Sequence, residues 1–374
     1  MRKRLFAAAV FAAALIFTSA PKTLAYNKDC TLTIIGEKGA YSFTSPEITG
    51  DDYVKRLLRL DEVIDDVCFK ETVAAQDAYV KFTPDRSKMF TPIAEREGKT
   101  VDKVKLKDDV LTCLSVGGGA IKLAYKSIKP QITLGDLQTD IVVRGEFTTS
   151  FSSSGEERAE NVTLAASAVS GTALNAGEEF SFNDTVGKRS EKNGYKNAKV
   201  IMDGEFVDGV GGGVCQVSTT LYNAALLAGL KITEYHPHTL AVSYVESSFD
   251  AMVSYGTCDL KFVNVTSYPV YIAAYVRDKN VRFVIYGKKN DCVYERETVV
   301  EEVIPMPIEN VFNGLLDENE YVVLSHGKNG VKSCGYLVKK RGGKVVSRTL
   351  LRRDFYKPLT EKRETGKKGD GLSS

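Results

Sequence analysis

Gly209-Val210-Gly211-Gly212-Gly213-Val214-Cys215-Gln216-Val217-Ser218-Thr219-Thr220-Leu221-Tyr222-Asn223 is the stretch on which the reading of this chain turns. A glycine run lets the backbone bend tightly and approach a ligand closely, because glycine has no side chain to clash. Val217, Leu221, Ala224, Ala225 and Ala228 then recur at helical spacing, which predicts a helix over about Cys215–Leu230 with Gly229 as its stop. The only cysteine of the stretch therefore falls at a helix start. The unpaired N–H groups and positive dipole end there favour a thiolate and can donate to an oxyanion, with Gly213 and Gln216 beside the sulfur.

Upstream, Ala198-Lys199-Val200-Ile201-Met202 and Glu205-Phe206-Val207 flank Asp203-Gly204, a hairpin turn signal that leads the chain into the glycine run. Asn161–Val169 reads as a helix and Phe180-Ser181-Phe182 as a strand; residues 139–155, ending in Ser150-Phe151-Ser152-Ser153-Ser154-Gly155, read as a polar linker and mobile loop. Downstream, Lys231–Tyr235 is a strand leading to His236-Pro237-His238, and Val270–Val276 with Val281–Tyr286 forms a hairpin across Asp278-Lys279-Asn280. The whole is an α+β fold: a β-rich domain with one important helix, preceded by a small α+β module and followed by a small β module.

This stretch resembles the core motif of the VanW family, named for a vancomycin-resistance accessory protein. The likeness runs from Glu160-Asn161-Val162-Thr163 through Phe180-Ser181-Phe182-Asn183, Val186-Gly187-Lys188-Arg189 and Gly194-Tyr195, and past the cysteine to His236-Pro237-His238-Thr239, Asp250-Ala251 and Asp259-Leu260-Lys261-Phe262. It implies an extracytoplasmic domain acting on peptidoglycan, with some members similar to cysteine L,D-transpeptidases. A thiol nucleophile needs a base able to hold a positive charge beside it, and histidine suits that task. His238 matches the family's Pro-His-Ser/Thr segment and is preferred to His236. A carboxylate should orient the imidazole, and Asp250 is favoured slightly over Asp259, although Phe249 replaces the glycine that commonly precedes the family's aspartate. Arg189, Tyr195, Gln216 and Asn183 are candidates for substrate binding, Arg189 because a guanidinium can pair bidentately with a carboxylate.

The beginning of the chain has the pattern of an export signal: Arg2-Lys3-Arg4, an apolar Leu5–Phe17, and Thr23-Leu24-Ala25 before Tyr26. Removing 1–25 takes Arg2, Lys3, Arg4 and Lys22, so a net charge of +2 becomes −2. A near-neutral chain gives little support to nucleic-acid binding, and no second apolar segment predicts a membrane span. Seven cysteines leave at least one thiol free, and Cys215 is the expected one. Cys-x-x-Cys and His-x-x-x-His spacings are missing, so no metal or cofactor is expected.

The predicted organisation is a signal peptide (1–25), an α+β module resembling peptidoglycan-binding modules (26–140), the VanW-like domain (141–300), a β module similar to the one named for its five glycines (301–357), and a disordered tail (358–374). The first module carries strands at Leu32–Ile35, Ala78–Phe82 and Ile121–Tyr125 and helices over Asp51–Val67 and Lys105–Leu114. The functional expectation is an exported cysteine acyltransferase on stem peptides. The alternatives are a non-catalytic wall-binding or resistance accessory protein, and a cysteine endopeptidase or carboxypeptidase.

Overall fold

The computed structural model describes residues 30–44, 53–84, 86–137, 140–202 and 205–366, with the side chains of 53–58, 201–202 and 205–206 excepted. The expected signal peptide, Asp51 and Asp52, the Asp203-Gly204 turn and the extreme tail lie outside the described residues. The described residues divide into two compact units, one of those up to 79 together with those in 92–136, the other of those in 80–91 together with those from 137 on.

In the first unit β1 (Thr31–Ile35) lies between β2 (Ala40–Thr44), antiparallel, and β6 (Gly119–Lys122), parallel. Alternation puts Leu32 and Ile34 inside, where they meet Ile64 and Val67 of α1 (Tyr53–Glu71) and Leu106, Val110 and Leu114 of α2 (Lys103–Ser115). Asp102 starts α2 by accepting a hydrogen bond from the Lys105 N–H at 3.2 Å. The strand expected at 121–125 is broken: Leu123 and Ala124 separate β6 from β7 (Tyr125–Ile128), which pairs with β5 (Gly98–Val101) instead. Glu71 is fully buried at the end of α1. Its carboxylate accepts from the N–H groups of Glu37 and Lys38 and from the hydroxyls of Tyr41 (2.8 Å) and Tyr125 (2.6 Å), fastening the β1–β2 turn to the helix.

The second unit is built on a four-stranded antiparallel sheet ordered β8 (Ile141–Ser150), β16 (Asn280–Lys288), β15 (Val270–Arg277), β9 (Thr172–Leu174). Residues 141–150, read from the sequence as linker, are thus an edge strand. Their polar residues gave no apolar alternation to see, because Thr149 is buried by a hydrogen bond to Thr220 (2.8 Å) rather than by hydrophobicity. Asp278 and Lys279 turn the β15–β16 hairpin with φ of 50° and 53°, the mirror-type turn that strand twist demands. Residues 80–91, assigned from sequence to the first module, belong to this unit, where Phe82 and Phe90 stack at 5.1 Å and meet Tyr271 and Tyr286.

Helix α5 (Val214–Leu227) packs against β8 and β16, while α3 (Glu156–Val169) packs against β15 and α5. Val217, Leu221, Ala224 and Ala225 are completely buried, so Leu221→Ala would cost about 2–5 kcal/mol. The crossing is close: a Cβ on Gly145 would stand 2.3 Å from the Ala228 nitrogen. Arg144 donates to the Ala228 carbonyl oxygen and puts its positive charge at the negative end of the helix. Phe182, read as strand, instead opens the short α4 (Phe182–Val186), capped by the Ser181 hydroxyl. Strands β10 (Glu179–Ser181), β14 (Lys261–Val263) and β13 (Lys231–Glu234) form a small sheet below, and β11 (Asn197–Met202) pairs with β12 (Glu205–Val210).

From 292 to 366 the regular elements are all strands. β17 (Cys292–Ile304), β20 (Gly330–Arg341) and β21 (Lys344–Tyr356) make one antiparallel sheet, and β22 (Glu361–Thr365) joins β18 (Ile308–Phe312) to β19 (Tyr321–Ser325) in another. The expected disordered tail therefore contains a strand. Its run of charges, Glu361-Lys362-Arg363-Glu364, concealed it, since backbone pairing and not apolar burial holds it.

Candidate active site

The glycine run shapes the start of α5. Gly213 precedes the helix with φ of 105°, and a Cβ there would lie 2.9 Å from Val162 and 3.0 Å from Arg158. Both conformation and space thus require glycine. Cys215 is the second helical residue, so its sulfur lies in the first turn, at the positive end of the dipole.

One face of α5 carries Cys215, Ser218, Thr219 and Asn223, one turn apart. Ser218 donates to the Ala251 carbonyl oxygen (2.6 Å), Thr219 accepts from the Ala251 N–H (2.9 Å), and Asn223 donates to the Phe249 carbonyl oxygen (2.8 Å). This stitching lays 249–251 along the helix and brings Asp250 to His238. Asp250 Oδ2 accepts from both the backbone N–H and Nδ1 of His238, each at 2.7 Å. With Nδ1 committed, Nε2 is the nitrogen left for Cys215, and the imidazole and the thiol each shift the other's proton affinity. The sulfur also lies 3.4 Å from the Val253 carbonyl oxygen.

The electrostatics follow from this chain of contacts. Burial opposes charge on His238, which is only 5% exposed, yet its hydrogen bonds to Asp250 and Cys215 raise it to about 9. Burial would likewise push the Cys215 thiol up, but the hydrogen bond and charge of His238, with the Arg189 charge beyond, bring it below its ordinary value. Asp250, despite its burial, is held down at about 2 by His238 and the Arg352 guanidinium. A thiolate and an imidazolium thus favour each other here.

Arg189 lies over the Phe182 ring at 5.3 Å and donates through Nη1 to Asn183 Oδ1 (2.6 Å) and the Gly187 carbonyl oxygen (3.0 Å). Its Nη2 is buried without a hydrogen-bond partner among the described residues. Arg158, not singled out from sequence, also sends its charge toward Cys215, and half-buried Tyr244 lies nearby.

The remaining sequence candidates are placed elsewhere. Gln216 is buried, donating to Thr149 Oγ1 and the Ser150 carbonyl oxygen and accepting from Arg158, so its amide fastens α5 to β8 and α3. Tyr195 is a core residue near Arg189. His236 turns to Glu234 (3.1 Å), away from the pair. Asp259 accepts from Ser181 and from the Asn183 and Leu260 N–H groups, holding α4 to β14. Together with Asn183, Glu234, Tyr255, Cys258 and Lys261 it lines a cavity of about 350 Å³.

Sequence reasoning missed the far side of Asp250. Oδ1 accepts from Arg352 Nη2 (2.7 Å) and the Tyr356 hydroxyl (2.5 Å), both on β21, a stretch that showed no chemical motif. Among the described residues no group of three His, Cys, Asp or Glu could hold a metal ion, and no helix is long and apolar enough to cross a membrane.

Residues 157–286 match the family described as VanW like protein, and residues 295–368 match the G5 domain. Over 130 residues, 35% of the chain, the sequence is 45% identical to the uncharacterized protein YoaR of Bacillus subtilis, covering 43% of that protein. It is 28% identical to the vancomycin B-type resistance protein VanW of Enterococcus faecalis over 139 residues, 36% of this chain and 50% of that one. The match thus spans half or less of each curated relative. Among solved structures, HP0197-G5 is 22% identical (21% of this chain, 100% of that one, TM-score 0.14) and the IgA1 protease G5 domain 26% identical (22% and 96%, TM-score 0.16).

Proposed function

We propose, for a chain that carries a VanW-like domain followed by a G5 domain, that it is an extracytoplasmic, peptidoglycan-associated cysteine acyltransferase of the L,D-transpeptidase type. The observation that supports this most is the His238 Nδ1–Asp250 Oδ2 contact at 2.7 Å, on an imidazole that lowers the Cys215 thiol at the α5 start. In this reading Cys215 thiolate attacks the carbonyl of the diaminopimelate-type residue, in its amide bond to the following D-amino acid of a stem peptide. Its electron pair forms a C–S bond, and the carbonyl oxygen becomes an oxyanion stabilised by N–H groups at the helix start. His238 gives its proton to the leaving D-amino acid amine as the C–N bond breaks. An acceptor amine then attacks the thioester and yields its proton to His238, and the sulfur departs as thiolate. Arg189, whose Nη2 has no hydrogen-bond partner among the described residues, would supply donors for a substrate carboxylate.

The experiment is incubation with purified muropeptides. Cross-linked dimers or tetrapeptides shortened at the D-Ala end are expected, abolished in Cys215→Ala and nearly so in Cys215→Ser. Unchanged muropeptides of every stem length, with sacculus binding undiminished by Cys215→Ala, would leave a wall-binding module whose glycine loop is architecture.

A further inference from the structure

We infer that the β20–β21 ladder of the C-terminal module is part of the thiol site, with Arg352 and Tyr356 acting as positioning residues through Asp250. The inference rests on the reading of Cys215 as nucleophile. Two His238 donors take Asp250 Oδ2, so the rotation of the carboxylate is decided at Oδ1. There Arg352 Nη2 and the Tyr356 hydroxyl converge at 2.7 and 2.5 Å. Arg352 Nη1 also donates to the Asp250 carbonyl oxygen at 2.6 Å, so one guanidinium grips side chain and backbone of the same residue. A lysine ammonium lacks this fork.

The grip is itself braced. Arg352 is 4% exposed, its Nε donates to Asp354 (2.6 Å), and it faces the Tyr235 ring at 4.9 Å. Tyr356 accepts from the Ser248 N–H (2.8 Å), and Ser248 Oγ meets Ser333 Oγ (2.8 Å). The strand can approach this loop because residue 335 is glycine: a Cβ there would fall 2.7 Å from the Ser248 carbonyl oxygen.

The charges fit positioning better than simple clamping. Asp354 shares the Arg352 charge, so Asp250 is oriented by Arg352 without being neutralised by it alone. Its negative charge is left to hold His238 protonated against burial. A buried ion pair whose only task was to join the two modules would change stability when broken, but would leave the proton affinity of the thiol–imidazole pair alone.

The test uses the full-length protein and the rate of Cys215 carbamidomethylation by iodoacetamide across pH, read by peptide mass spectrometry. Arg352→Gln should slow Cys215 near neutral pH by about tenfold and move the inflexion toward an ordinary thiol, a smaller loss than removing the carboxylate itself. Tyr356→Phe should shift the profile the same way by less, and Arg352→Lys should recover part of the loss. Arg348→Gln, on the same strand but paired outward with Glu297, should match wild type. A wild-type profile in both Arg352→Gln and Tyr356→Phe overturns the inference, as does an equal shift in Arg348→Gln. Where Arg352→Gln fails to fold, Tyr356→Phe decides by the same criterion. Wild-type Cys215 that labels no faster than the other cysteines, indifferent to His238→Ala, would instead remove the nucleophile reading and this inference with it.

Discussion

Glu71 and Asp250 are both buried carboxylates with donors on both oxygens, and tyrosine hydroxyls serve each of them. Around Glu71 every partner is a backbone N–H or a tyrosine, groups that stay in one protonation state near neutral pH, so the carboxylate holds a turn and goes no further. Around Asp250 one partner is an imidazole whose titration is coupled to that of a thiol. A satisfied buried carboxylate is therefore structural by default. What makes it chemical is a titratable neighbour whose other side faces a nucleophile.

Neutralising each carboxylate should give opposite outcomes. Asp250→Asn should lower Cys215-dependent turnover by about 10²–10⁴-fold, measured as kcat/KM on muropeptides or as alkylation rate, because His238 loses both its tautomer and its counter-charge. Glu71→Gln should leave that rate unchanged and destabilise the first unit by about 1–3 kcal/mol in chemical denaturation, since an amide N–H₂ would face donors. Equal losses of labelling in the two variants would erase the distinction.

The thiols offer a second contrast. Cys68 and Cys113 of the first unit are pushed up by burial, whereas Cys215 is brought down by His238. Alkylation of Cys215 should reach its plateau at a lower pH than either of them. Stability carries the same signature, with signs fixed by linkage. Asp250, held at about 2, stabilises the fold above the usual aspartate value near 4, and this is lost as pH falls toward 2. His238, raised to about 9, stabilises fully below about 6.5 and loses that contribution as pH climbs through its folded value, while the lowered Cys215 opposes the loss. In Cys215→Ala the opposition is gone, so its melting temperature should decline on the alkaline side, and His238→Gln added to it should flatten the decline.

Least affected should be Tyr125→Phe, which removes one of the donors on Glu71 and should cost about 0.5–1.5 kcal/mol without touching alkylation. An effect on Cys215 from this substitution would mean that the two units communicate.

Much of the site was legible because it is local. Cys215 declares itself by the glycines before it, and the helix by its apolar period; His238 and Asp250 stand within 36 residues of the thiol. Illegible parts depend on long-range pairing. Arg352 looks like one basic residue in Leu350-Leu351-Arg352-Arg353, and only the β20–β21 register turns it inward while Arg348 faces out. Gln216 was misjudged for the same reason, since its partners Thr149 and Ser150 sit on a strand that the sequence presented as linker.

Strand β22 carries a consequence for the order of assembly. It pairs with both β18 and β19, which do not pair with each other, yet follows both in the chain. Neither neighbour gains its ladder until residues 361–365 are in place. The Arg352–Asp250 contact closes a span of 102 residues, a slow event by the standard of local structure. The helix bearing Cys215 and the loop that carries Asp250 are near in sequence, so they can come together before β21 docks and Arg352 takes hold of Asp250.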